Sequence, residues 1–250
     1  MQPVDVFRGD GPVVLGVPHA GTFVPDDIKA RFNDTGLKLA DTDWHVDRLY
    51  SDLLPGATMV KANFHRYVID ANRDPEGVSL YPGQNTTTLC PTTDFDGRPI
   101  YQSGMEPETG EIEARRLAWH APYHAALQAE MERVRAKHGV AILYDCHSIR
   151  SRCPFLFEGR LPDLNIGTDD GRTWQDVSAW VDPGYDGTLG STSNNPLSGR
   201  DAYAGTSGAW PAPESFAEDA TVLAVGNVSG LGSGWNVRGL IDEVDRLVGQ

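Results

Sequence analysis

The segment that most constrains the fold is 140–152, VAILYDCHSIRSR. Its first five residues are apolar and have the length and composition of a buried strand. Asp145, His147, Arg150 and Arg152 follow directly. Because open α/β sheets build active sites at the carboxyl ends of buried strands, this segment predicts an α/β protein with a site at the strand end. The alternative is a core strand followed by a polar turn with a surface histidine.

A second apolar run, 11–17, is also a predicted strand, and His19 follows it. Parallel neighbours in one sheet would bring His19 and His147 to the same edge. Two imidazoles and one carboxylate form a common catalytic zinc set that leaves one position for water. Neither histidine has an acidic residue three or four positions downstream, so the carboxylate must come from another part of the chain.

Acidic residues cluster in the segment 41–54, which has the apolar spacing of an amphipathic helix. Asp43 and Asp47 are four residues apart, so they would share one face of that helix. The cluster, which includes Asp41, is the nearest source of a third metal ligand. Helix capping and a solvated polar face are the alternative interpretation, and the residue pattern leaves both open.

Arginines accompany the predicted strand ends. Asn72 and Arg73 follow the apolar patch 67–70, and together they offer a fork of donors that suits a carboxylate. Arg66 precedes this patch, and Arg150 follows the second candidate histidine. Several arginines at strand ends in an acidic protein indicate an anionic substrate. The alternative is that they form structural salt bridges with the aspartates beside them.

The segment 107–139 is predicted to be a long helix that Pro122 breaks or kinks. His120 and His124 flank this proline. We expect them to close the kink by hydrogen bonding rather than to bind a metal ion.

Length and charge limit the classes of protein and partner. A chain of 250 residues can form one large α/β domain or two small ones. The formal charge of −14 argues against a nucleic-acid or anionic-membrane partner. A small anionic substrate remains compatible, because local arginines act at contact distance. Apolar runs all fall short of the roughly 20 residues that a membrane span needs.

The cysteines point to a reducing compartment. Cys90, Cys146 and Cys153 are odd in number and form no CxxC pair, which predicts reduced thiols in a cytoplasmic protein. The first residues also lack the pattern of a signal peptide. A Cys146–His147 nucleophile is disfavoured, since neighbours on a strand point to opposite faces. A buried structural thiol is the preferred interpretation of Cys146.

Six segments together resemble the N-formylglutamate amidohydrolase family, nearly continuously over roughly residues 10–172. They are VPHAGTFVP (17–25), LADTDWHVDRLY (39–50), RYVIDANRDPEGVSLYPGQNTTTLCPTTDFDG (66–97), PYHAAL (122–127), DCHSIRS (145–151) and FEGRLPDLNIGT (157–168). The resemblance implies one α/β domain over 1–250, a three-layer α/β/α fold with a mixed central sheet. That fold is zinc-exopeptidase (phosphorylase/hydrolase)-like, similar to the zinc carboxypeptidases.

The resemblance also implies an activity and a cofactor. The expected reaction is metal-dependent hydrolysis of N-formyl-L-glutamate to formate and L-glutamate, a step of histidine degradation. The expected cofactor is a divalent metal ion, with zinc as the preferred one. His19 and His147 would hold the metal, with Asp47 as the third ligand and Asp43 as the alternative.

The resemblance assigns roles to the remaining polar residues. Asn72 and Arg73 would hold the α- or γ-carboxylate of the substrate. Arg66 or Arg150 would lie at the other carboxylate or at the oxyanion. Asp145 would orient the metal ligand two residues further along the chain. Arg66 and Asp145 are therefore the expected contributors to catalysis.

The C-terminal third departs from the family pattern. Family members carry a GRFKGG-like segment and then a strand with a glutamate, which by analogy with carboxypeptidases would be the general base. Here 197–200, LSGR, echoes the first, and the predicted strand 221–228 carries Asn227 and no acid. The segment 183–235 is predicted to be irregular. Two alternatives follow: an anion- or glutamate-binding protein with impaired catalysis, and a related metallo-amidase that acts on another N-acyl amino acid.

Overall fold

The computed structural model describes residues 1–54, 56–76, 85–139, 141–156 and 158–160. It also describes the backbone of 164–167, 188–192, 202–204 and 220–228.

The strands form one mixed sheet. Their bounds are β1 Val4–Phe7, β2 Val13–Val17, β3 Thr58–Ala62, β4 Ile142–Arg150, β5 Leu164–Gly167, β6 Thr188–Thr192, β7 Ala202–Ala204 and β8 Ala220–Val228. Their order across the sheet in the described part of the chain is β1-β3-β2-β4-β8-β5-β6-β7. Strand β2 is parallel to both of its neighbours, β3 and β4. Strand β1 is antiparallel to β3, and β8 is antiparallel to β4. The expected mixed sheet is thereby confirmed.

Helices cover both faces of this sheet. They are α1 Asp26–Lys29, a 3-10 helix Gly36–Lys38, α2 Val46–Leu53, α3 Thr109–Arg115, a π-turn Arg116–His120 and α4 Ala121–His138. On one face, Val46 and Tyr50 of α2 share a core with Leu15 of β2. On the other face, Tyr123 of α4 shares a core with Val14. Successive strand residues point to opposite faces, so β2 is buried on both sides, and the expected three-layer α/β/α fold is confirmed.

None of the helices in the described ranges has the length and apolar character that a membrane crossing requires.

Several element boundaries differ from the sequence prediction. Strand β4 continues to Arg150 rather than ending at residue 144, because β8 pairs with it along its whole length up to Ala220. The apolar patch 67–70 is a buried turn segment rather than a strand. Strands β6, β7 and β8 lie within 183–235, where the composition predicts irregular structure, and the remainder of that segment lies outside the described residues.

The two helix predictions also need correction. Helix α2 begins at Val46, because His45 adopts a left-handed conformation with φ of 65° and residues before it form turns. Pro122 does not break the long helix. It occupies the first turn of α4, where a backbone N–H is not needed, and a π-turn precedes it.

Candidate metal centre

The topology brings three side chains together. His19 lies just after β2, and His147 lies in β4, the parallel neighbour of β2. The two strands pair with Gly16 opposite Asp145, so the positions just beyond this pair share one end of the sheet. Asp43 joins them from the turn before α2, and its backbone N–H donates to the His19 carbonyl at 3.0 Å.

The donor atoms of this group are close and buried. The Nδ1 atoms of His19 and His147 are 3.1 Å apart. Asp43 Oδ2 lies 3.7 Å from the Nδ1 of His19 and 3.4 Å from the Nδ1 of His147. The three residues are at most 5% exposed. They form a group capable of holding a metal ion.

Each histidine has a carboxylate behind it. The Nε2 atom of His19 is 2.7 Å from Asp70 Oδ1, and the Nε2 atom of His147 is 2.9 Å from Asp145 Oδ2. Because a carboxylate only accepts, these contacts favour the tautomer with hydrogen on Nε2. Both Nδ1 lone pairs then face each other and the Asp43 carboxylate. A cation between them, either a metal ion or a proton, relieves the repulsion of these electron pairs.

The spacing of the donor atoms fits a tetrahedral metal. Zinc–ligand bonds of about 2.0–2.1 Å at tetrahedral angles place two ligand atoms roughly 3.3–3.4 Å apart. The three separations of 3.1, 3.4 and 3.7 Å bracket this value. The residues present therefore fit a divalent ion without large rearrangement.

The charge of Asp43 is also suited to a cation. Burial raises the pKa of this carboxyl, but hydrogen bonds with His147 and His19 outweigh burial and hold the pKa below its ordinary value. The backbone N–H of Ser148 donates to Asp43 Oδ2 at 3.0 Å and fixes its position. Burial lowers the pKa of His147, yet the carboxylates of Asp145 and Asp43 raise it to about 10. The centre thus has a strong preference for positive charge.

Asp47, the expected third ligand, lies elsewhere. Its Oδ2 atom accepts a hydrogen bond from Nζ of Lys61, a residue of β3, at 2.9 Å, and both side chains are partly exposed. The expectation assumed a helix that includes both acids, but α2 begins at Val46. Asp43 is therefore in the preceding turn and points to the histidines, whereas Asp47 points to β3.

Arg66 lies behind the centre rather than in front of it. Its Nη2 atom donates to Asp70 Oδ2 at 2.6 Å, and its guanidinium carbon lies 4.6 Å from the centre of the Phe95 ring. Burial would raise the pKa of Asp70, but Arg66 and then His19 outweigh it and hold that pKa well below its ordinary value. Arg66 thus keeps Asp70 ionised where it orients His19.

The expected substrate-binding residues are divided between two places. Asn72 lies at the centre, with its Nδ2 atom 3.3 Å from His147 Nε2. Arg73 is directed to the adjacent loop, where its Nε and Nη2 atoms both lie 3.0 Å from oxygens of Thr87. Arg150 donates to Asp96 at 2.8 Å and keeps 42% of its side chain exposed.

His65 is a polar residue near the centre that the sequence patterns did not identify. His65 is fully buried, and its Nδ1 atom accepts from the Tyr67 backbone N–H at 3.1 Å. Its Nε2 atom has no hydrogen-bond partner among the described residues. Burial, then the charges of Arg66 and His19, lower its pKa to about 3. His65 is thus a neutral donor beside the site, and its only sequence signal is its position next to Arg66.

Comparison with known proteins gives relatives of one family. The family model for N-formylglutamate amidohydrolase matches residues 11–214. N-formylglutamate deformylase of Pseudomonas aeruginosa is 44% identical over 167 residues, which cover 66% of this chain and 62% of the relative. The enzyme of the same name from Pseudomonas putida is 42% identical over 177 residues, covering 69% and 64%. The chain therefore spans less than two thirds of the length of these curated relatives.

Solved structures share the fold. N-formylglutamate amidohydrolase of Ralstonia eutropha JMP134 superposes with a TM-score of 0.62 at 19% identity, covering 99% of this chain and 95% of the other. A gene product of Agrobacterium tumefaciens gives 0.58 at 22% identity, covering 76% and 73%. The family match extends over far more than half of the sequence. The chain therefore belongs to the N-formylglutamate amidohydrolase family.

Proposed function

We propose that the protein is a metal-dependent hydrolase that cleaves the formamide bond of N-formyl-L-glutamate, giving formate and L-glutamate. The observation that carries this proposal is the buried convergence of His19, Asp43 and His147. The relatives named N-formylglutamate deformylase support the choice of substrate. In the reaction, water adds to the formyl carbon, the C–N bond breaks, and the glutamate nitrogen takes up a proton.

His19, Asp43 and His147 would hold the metal, and we propose zinc because two imidazoles and one carboxylate suit it and leave a fourth position. When bound, the metal supplies polarisation of the formyl carbonyl and activation of the attacking water. Asp70 and Asp145 keep the two imidazoles in the ligating tautomer. We propose Asp43, rather than Asp47, as the third ligand.

The roles of Arg66 and Asp145 follow from what they touch. Asp145 accepts from His147, and Arg66 holds the carboxylate that accepts from His19. We propose that both promote catalysis by positioning the two histidines. Burial of the Arg66 guanidinium against Asp70 and Phe95 favours this role over a contact with a substrate carboxylate.

Asn72 and two arginines would recognise the anionic ends of the substrate. Asn72 contacts His147 of the centre, so we assign it to the carboxylate closest to the scissile bond. Arg73 braces the same segment through Thr87 and would bind that carboxylate with Asn72. Arg150 is half exposed, so a substrate carboxylate can compete there with Asp96.

A second candidate function is binding of glutamate-like anions without turnover. One observation favours it: β8, the strand beside β4, has the sequence ATVLAVGNV and contains no acid. A base on this strand is thereby excluded, and a catalytic base must come from another element.

We also propose a cytoplasmic location and a role in histidine degradation. The three cysteines are buried and unpaired, as expected for thiols in a reducing compartment. The partner is a small anionic molecule, in keeping with arginines set into an acidic chain.

The test is formate release by zinc-loaded protein from N-formyl-L-glutamate, N-acetyl-L-glutamate and N-formyl-L-aspartate. Asp43→Asn and Asp47→Asn form a matched pair. Loss of a residue that hydrogen-bonds a metal ligand costs roughly 10- to 100-fold. Asp43→Asn removes a ligand itself, so it should lower kcat/KM by more than that. Asp47→Asn removes only a partly exposed ion pair and should remain within about twofold.

Two results would contradict the proposal. Wild-type protein that releases no formate, yet binds L-glutamate in calorimetry, would establish the binding function instead. Unchanged zinc content and activity in His147→Ala would exclude the metal centre.

A further inference from the structure

The segment 66–73 contains the residues that orient His19 and bind substrate in the proposed function, yet it forms neither helix nor strand. It is mostly buried. Carbonyl groups of such a segment need partners, because an unpaired buried carbonyl is costly. Side chains from another element supply several of them.

Those partners come from the helical segment around the π-turn. Arg115 Nη1 donates to the Val68 carbonyl at 2.9 Å. His124 Nε2 lies 2.8 Å from the Ala71 carbonyl, and His120 Nε2 lies 3.0 Å from the Arg73 carbonyl. A carbonyl only accepts, so both histidines donate through Nε2. The carbonyls on either side of Asn72 are thus each held by one imidazole.

The π-turn explains how one helix reaches all three carbonyls. Arg115 and His120 are five residues apart, and in a regular α-helix they would point about 140° away from each other. In the π-turn the Ala121 N–H donates to the Arg116 carbonyl, five residues back, so one extra residue is accommodated in the turn. That residue brings Arg115 and His120 to the same side.

The second histidine follows from ordinary helix geometry. His124 is one α-helical turn after His120, and their ring centres are 4.3 Å apart. The two imidazoles therefore lie side by side against 71–73. Sequence analysis predicted that they close a kink at Pro122, and the structure directs them to this segment instead.

We propose that His120 and His124 are positioning residues that hold the peptide groups around Asn72, and thereby set its contact with the substrate carboxylate at the metal centre. The inference rests on the proposed function. His120 is 4% exposed, whereas His124 is exposed. Water can therefore replace the donor of His124 but not that of His120.

The experiment compares four variants with one control. His120→Leu and His124→Leu remove the donors. His120→Gln and His124→Gln keep an N–H donor, because the side-chain nitrogen of glutamine is the same number of bonds from Cα as Nε2 of histidine. His138→Leu is the control, since it lies on α4 more than about 20 Å along the axis from either histidine.

Loss of the buried donor in His120→Leu should raise KM for N-formyl-L-glutamate about tenfold, the effect of one hydrogen bond to a positioned group. His124→Leu should raise KM only about threefold, because water can replace the lost donor. The kcat and the zinc content should change less than KM. The glutamine variants should recover most of the affinity, and His138→Leu should match wild type.

Crystal structures of the zinc-loaded variants give a readout that does not need turnover. Asn72 should be displaced from His147 in His120→Leu and restored in His120→Gln. An unmoved Asn72, or a lowered Tm with unchanged KM, would overturn the positioning role. If wild-type protein releases no formate, the proposed function fails, and the position of Asn72 in these structures still decides the inference.

Discussion

Replacing Asp145 with asparagine tests whether the carboxylates behind the histidines tune metal binding. Asp145 Oδ2 accepts from His147 Nε2 at 2.9 Å, and the side chain is 20% exposed. An asparagine at this position can still accept, but it carries no charge and can present an N–H to the ring instead. Loss of an outer partner of this kind weakens metal affinity by roughly 10- to 100-fold, or about 1.4 to 2.7 kcal/mol.

The matching change at Asp70 should have a second consequence. Asp70 accepts from His19 at 2.7 Å, and also from Arg66 at 2.6 Å. Asp70 is fully buried and Arg66 is 4% exposed, so Asp70→Asn leaves a buried cation without its counter-ion. Removing one member of a buried pair costs about 3–5 kcal/mol of folding free energy. Asp145 is itself 20% exposed, and its partner His147 still has the Asp43 carboxylate beside it, so Asp145→Asn should cost less.

The assay is zinc competition with a chelator of known affinity, paired with urea unfolding of the metal-free proteins. Asp47→Asn is the control, since its ion pair with Lys61 is partly exposed and away from the histidines. Both test variants should bind zinc more weakly, and only Asp70→Asn should also unfold at clearly lower urea. Zinc affinity of Asp145→Asn within about twofold of wild type would refute the reasoning.

Three further outcomes are expected. A Cβ at Gly16 would lie 2.8 Å from Asp145 Oδ1, so Gly16→Ala should displace that carboxylate and weaken zinc binding as Asp145→Asn does; an unchanged chelator titration would contradict this. The folded pKa of His65 is about 3 and its unfolded value about 6.5, so stability should fall as pH drops through this window. In urea unfolding of the metal-free protein, His65→Gln should reduce the slope of unfolding free energy against pH by up to about 1.4 kcal/mol per pH unit. Zinc at 100 times its Kd should stabilise the protein by about 2.7 kcal/mol. Removing the zinc with a chelator should therefore lower the Tm.

Strand-end reasoning could predict that the two histidines meet, but not which acid joins them. His19 and His147 follow apolar runs, and a parallel pairing of those runs brings them together. The choice between Asp43 and Asp47 depends on where α2 begins. That start is set by the left-handed backbone at His45, which apolar spacing does not reveal.

The residues around this group were harder to predict for a different reason. Arg66 could be a substrate contact or half of a salt bridge, and only its burial against Asp70 separates the two. The donors of His120 and His124 depend on a π-turn, whose extra residue leaves no mark on the apolar pattern of a long helix. Pattern analysis assumes regular helices, so it places these histidines at a kink instead.

Charge balance would link the proposed metal to the proposed anionic substrate. Around the centre, Asp43, Asp70 and Asp145 contribute three negative charges, and Arg66 contributes one positive charge. With neutral histidines the cluster would therefore carry a charge of about −2 in a buried setting where charges interact strongly. Such a cluster would repel a dicarboxylate. A divalent cation would cancel that charge, so binding of the proposed metal and of the proposed anionic substrate would be electrostatically coupled.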